Sequence, residues 1–80
     1  MDSSEAVFHV YPENNGNGNG NGAGHWCVRP EGGVAMSYDC KAVASLSAKR
    51  MALNLRRNAR VIFYKPDGTI EFELVFEATQ

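Results

Sequence analysis

Eighty residues, 44% of them hydrophobic and eight aromatic, describe one globular domain with a small core. A disordered chain and a large enclosed substrate pocket are both excluded on that basis. The net charge of −1 hides a dipolar molecule: Lys41, Lys49, Arg50, Arg56, Arg57 and Arg60 are six of the eight basic residues, with no acid between Cys40 and Arg60, and the other two against nine acids leave the rest of the chain at −7.

The first residues, Met1 to Glu5, are acidic with no hydrophobic stretch behind them, and no apolar run approaches the roughly 18 residues of a membrane span. Neither a span nor a secretory signal is expected. Cys27 and Cys40 lack the spacing of a disulfide framework or a four-ligand zinc site, so a reducing, cytoplasmic setting suits them best.

Ala6 to Tyr11 alternates, with Phe8 and Val10 on the inward face and Val7, His9 and Tyr11 on the other; Pro12 ends this first strand. Residues 13–24 are mostly a Gly-Asn repeat with only Ala23 to bury, and are expected to form a flexible loop between two strands. The repeat superficially resembles a phosphate-cradling loop, but it lacks Lys and Ser/Thr and no helix start follows it. His25 to Arg29 reads as the second strand, Pro30-Glu31-Gly32-Gly33 as a hairpin turn, and Val34 to Tyr38 as the third strand.

Asp39 to Asn58 is the one amphipathic helix, with Asp39 the expected N-cap because its carboxylate suits the orphan amides and the positive end of the macrodipole. Ala44, Ala48, Met51, Ala52, Leu55 and Ala59 fall on one stripe, whose small residues let the helix lie close to a sheet. Leu46 and Leu53 lie on the opposite side, flanked by Lys49, Arg50, Arg56 and Arg57. Arg60 to Lys65 is a strand, Pro66-Asp67-Gly68 a tight turn, and Thr69 to Glu77 a last strand with Ile70, Phe72, Leu74 and Phe76 inward and Glu71, Glu73 and Glu77 outward. That acidic row reads first as protection of a sheet edge. The order β-β-β-α-β-β then implies an α+β, two-layer domain: a mostly antiparallel sheet of about five strands against one helix, its second face partly open.

Phe8-His9-Val10, Trp26-x-Val28-Arg29, Asp39-x-Lys41-Ala42-x-Ala44, Val61-Ile62 and Asp67-Gly68-Thr69-Ile70 together resemble DUF2188, a family of small bacterial and phage proteins of unknown function. The resemblance covers Phe8 to Ile70, with two departures: the Gly-Asn insertion before Trp26 and a longer, acidic last strand. It implies a compact strand-rich domain without an established enzymatic activity and transfers no catalytic residue. In size and layout the chain is also similar to small anti-CRISPR inhibitors, which occupy a surface of a host defence complex.

The residues that could carry chemistry are few. His25 and Cys27, two apart on one strand face, would need His9 from a neighbouring strand to make a three-ligand zinc site, and so short a spacing is a weak signal; no metal or cofactor is expected. Cys40, in the first helical turn, sits where the dipole lowers a thiol's pKa. No partner completes a dyad, so it reads as a buried or half-buried structural cysteine. No Ser-His-Asp, paired-carboxylate or phosphate-loop pattern is present, and the chain reads as non-enzymatic.

The expected contact surface is Leu46, Lys49, Arg50, Leu53, Arg56, Arg57 and Arg60, docking on the acidic surface of a protein partner. A host protein complex inhibited in the anti-CRISPR manner is one such partner. The alternative is nucleic acid gripped by the same basic helix, with Tyr64 or Trp26 stacking on bases, although the acidic remainder of the chain disfavours it. A merely solvated basic face, and a homodimer pairing the acidic strand with a second copy's helix, are the competing readings.

Overall fold

The computed structural model describes residues 5–13 and 25–77; the Gly-Asn repeat expected to form a loop lies, from residue 14 onward, outside the described residues. Five strands and one helix follow in the order β1 (Ala6–Pro12), β2 (Trp26–Pro30), β3 (Met36–Tyr38), α1 (Lys41–Leu55), β4 (Ala59–Tyr64) and β5 (Ile70–Phe76). The sheet runs β3-β2-β1-β4-β5. Three of its pairings are antiparallel and the β1–β4 pairing is parallel, so the sheet is mixed and the helix serves as part of the crossover from β1 to β4. This is the two-layer α+β arrangement that the alternation and the alanine stripe imply.

Alternation decides which side chains meet the helix. Phe8 and Val10 on β1, Val28 on β2, and Ala59, Val61 and Phe63 on β4 are buried together with Ala44, Ala48 and Ala52 of α1. Those three alanines are 0–1% exposed, and their small side chains are what let the helix backbone approach the strands. Trp26, Tyr38, Met51, Leu74 and Phe76 pack around this core. Among the described residues no buried side-chain nitrogen or oxygen lacks a hydrogen-bond partner.

Several local expectations are corrected. Cys40, not Asp39, occupies the N-cap in an extended conformation and makes no side-chain capping bond, so Asp39 does not cap the helix. Cys40 is exposed, not a buried or half-buried packing residue. The helix ends three residues early, at Leu55, because Arg56 turns left-handed at φ 60°, its N–H bonding to the Leu53 carbonyl at 3.3 Å. Leu55 is 42% exposed, and Ala59 is buried as part of β4, not of the helix.

The last strand also departs from its clean pattern. The β4–β5 register shifts between Phe63 and Tyr64, so Phe63 faces Phe72 but Tyr64 faces Ile70, and Glu71 is skipped. Ile70 is therefore paired with a residue of the opposite face and is half exposed, while Glu71 reaches Lys41 on the helix at 2.9 Å. Phe72 stacks on Phe63 with centroids 4.4 Å apart and the planes 9° from parallel, yet stays 42% exposed because α1 lies mainly over β1, β2 and β4.

Candidate functional site

Among the described residues, candidate groups gather on the outward face of α1 and on the sheet face that the helix leaves open. On α1, the residues opposite the alanine stripe are Val43, Leu46, Arg50 and Leu53, at spacings of three, four and three. At 100° per residue these lie on one line. Leu46 is 57% exposed, Leu53 62% and Val43 46%. The helix thus turns its smallest apolar residues to the sheet and three of its larger ones to solvent. Lys49 and Arg50 lie among them, α1 contains no acid, and the ion pairs among the described residues take up Lys41 and Arg60 but neither of these two cations. Arg56 and Arg57 follow at the C-terminal end, both exposed.

Arg60 does not belong to this surface. Ala59 and Val61 point into the core, so strand alternation turns Arg60 to the open sheet face, on the other layer from the helix. Its guanidinium is engaged there by Glu73 at 2.8 Å and Glu5 at 3.3 Å, and these hydrogen bonds, that of Glu73 foremost, raise its already high pKa. Val43, by contrast, escaped the sequence reading although it lies three residues before Leu46, a spacing that marks the same helical face. Two carboxylates of the outward acidic row are also spoken for: Glu71 by Lys41 and Glu73 by Arg60.

The open face is ordered by a chain of side chains distant in sequence. His9 on β1 lies beside Ile62 of β4 in the parallel ladder and across from Arg29 of β2. Its Nδ1 stands 2.9 Å from the Tyr64 hydroxyl and its Nε2 2.7 Å from a Glu31 carboxylate oxygen. With the carboxylate ionised, one assignment of the neutral ring satisfies both contacts: Nε2–H donates to Glu31 and Nδ1 accepts from the Tyr64 O–H. The hydrogen bond from His9 holds the Glu31 carboxyl below its ordinary range. The rings of His9 and Tyr64 sit 5.8 Å apart, tilted by 33°. Beside them opens a cleft of about 390 Å³, lined by His9, Tyr11, Arg29 and Tyr64 from the strands, and by Pro12, Lys65, Pro66 and Gly68 at one end. The turn forming that end needs Gly68, whose φ of 94° suits glycine, and is closed by Gly68 N–H bonding to the Lys65 carbonyl at 2.9 Å and by Asp67 accepting from the Thr69 N–H and O–H.

The third polar group is smaller. The Cys27 thiol lies 3.7 Å from Glu13 Oε1, which also accepts from Ser37 Oγ at 2.8 Å. Burial pushes the thiol's pKa up, against the opposing effect of the hydrogen bond with Ser37. The zinc set of His9, His25 and Cys27 does not assemble: His9 is committed to Tyr64 and Glu31, His25 is exposed, and no three His, Cys, Asp or Glu side chains among the described residues are grouped to hold a metal ion. Trp26 is half-buried against the core, with Lys41 Nζ 5.3 Å from the ring centroid. Among the described residues no helix is long and apolar enough to cross a membrane. No known protein-family model, curated protein or solved structure matches this chain.

Proposed function

We propose that the chain is a small non-catalytic binding module that docks on the acidic surface of a protein partner through the outward face of α1. The observation that carries this reading is the inverted distribution of apolar side chains on the helix: alanines inward, and Val43, Leu46 and Leu53 outward at about half exposure among Lys49 and Arg50. A solvated helix face gains nothing from three aliphatic side chains in line, whereas an interface uses such a stripe as its desolvated centre and flanking cations to steer approach. The helix is a fixed platform, anchored by the alanine stripe, so little ordering is needed on docking. A module of this kind that covered a working surface of a host complex would act as its inhibitor.

The same cations meeting nucleic-acid phosphates form the second reading, and the aliphatic stripe weighs against it, since phosphate contacts leave such side chains without an apolar partner. A photo-crosslinking residue at Leu53, compared with one at Glu77, tests the proposal in cells that make the protein. A protein adduct formed at 53, absent at 77 and lost on Arg50→Glu, supports it. Nucleic-acid adducts at 53, or equal protein adducts at both positions, would contradict it.

A further inference from the structure

The open face of the sheet gathers aromatic and basic side chains around a cleft, away from the helix. Alternation on β1, β2 and β4 puts His9, Tyr11, Arg29 and Tyr64 on the face away from α1, because Phe8, Val10, Val28, Val61 and Phe63 point into the core. The Glu31–His9–Tyr64 hydrogen-bond chain holds two rings in place before any ligand arrives, which lowers the ordering cost of stacking. Tyr11, two residues from His9 on the same strand face, adds a third ring to the cleft. Arg29 and Lys65 also line it, and the ion pairs of the described residues use neither.

We propose that this cleft binds one nucleotide unit, its base lying on the ring surfaces of Tyr11, His9 and Tyr64 and its phosphate held by Arg29 and Lys65. A volume of about 390 Å³ falls at the lower end of small-ligand sites, enough for a single base, sugar and phosphate. Aromatic faces beside a guanidinium and an ammonium match a planar ring joined to an anion. Two carboxylates lie close by: Glu31 is bonded to His9, and Asp67 accepts from Thr69. They temper the positive field, so a bare anion finds little here and the stacked base supplies much of the affinity. A free mononucleotide and a nucleotide within a single strand present this same chemistry.

The test is a titration of the whole chain, followed by amide shifts in two-dimensional NMR, with AMP, with single-stranded oligothymidylate and with inorganic phosphate as separate probes. Saturable shifts at His9, Tyr11, Arg29, Tyr64 and Lys65 with AMP alone assign the site to free nucleotides. Binding of the oligonucleotide more than tenfold tighter than AMP, weakening with salt, assigns it to single strands. In either case Lys65→Gln, in an exposed turn, and Arg29→Gln should each weaken binding about tenfold, as expected for losing a hydrogen bond to a charged group. No shifts at millimolar ligand, shifts confined to α1, or equal affinity for inorganic phosphate would each overturn the proposal. If Arg29→Gln does not fold, Lys65→Gln decides alone.

Discussion

The outward face of α1 and the open face of the sheet are built on opposite principles. On the sheet, His9 bonds Tyr64 and Glu31, Arg60 bonds Glu5 and Glu73, and Ser37 bonds Glu13, so most of the polar side chains satisfy one another within the chain, while Arg29 stands outside these pairs. On the helix, Val43, Leu46 and Leu53 stand in solvent, and neither Lys49 nor Arg50 enters an ion pair of the described residues. A face whose groups are mutually bonded is shaped in advance for a small ligand. One whose groups are left uncovered gains most from a surface brought to it.

The sharpest way to break that contrast is to exchange the two sides of the helix. Ala48, fully buried, leaves no room for a larger side chain, so Ala48→Leu should lower unfolding free energy by about 1–3 kcal/mol, measured by urea denaturation. An unchanged stability would mean that the alanine stripe does not set the distance between helix and sheet. A smaller effect, of opposite sign, belongs to Arg56, which ends the helix at φ 60° where a side chain is strained. Arg56→Gly should raise stability by up to about 1 kcal/mol in the same assay, and a loss would show that the arginine side chain has a structural partner.

Much of this organisation is legible in the sequence, and the illegible part has a consistent cause. The element order, the inward set of β1 and the alanine stripe follow from periods of two and 3.6, and the observed strand ends differ by no more than two residues. The parallel β1–β4 pairing does not follow, because it joins segments separated by a hairpin and a helix and no local signal names the partner. With it goes the His9–Tyr64 contact, 55 residues apart in the chain. The displacement of Ile70 depends on a one-residue bulge that leaves no mark in an alternating sequence. Arg60 is different: its separation from the helical cations was available from the alternation of Val61 and Phe63, and its nearness in sequence to Arg57 obscures it.

The smallest expected effect sharpens the sheet side of the comparison. Glu31 is held below its ordinary value of 4.5, first by the hydrogen bond from His9. A depressed folded-state pKa contributes stability above the ordinary value and loses it as pH falls through the folded one. The melting temperature of the native chain should therefore exceed that of Glu31→Gln near pH 6, and the gap should close as pH drops below 4.5. A gap independent of pH would place the contribution of Glu31 in packing and not in its charge.

The most direct measurement is urea unfolding of the double variant Leu46→Ser, Leu53→Ser beside the native chain. If these leucines face outward to meet a partner, the two unfolding free energies agree within about 1 kcal/mol, as for other exposed positions. A loss of 3 kcal/mol or more, in the range of buried-leucine truncations, would show that both side chains belong to the protein's own core and that α1 offers no contact surface.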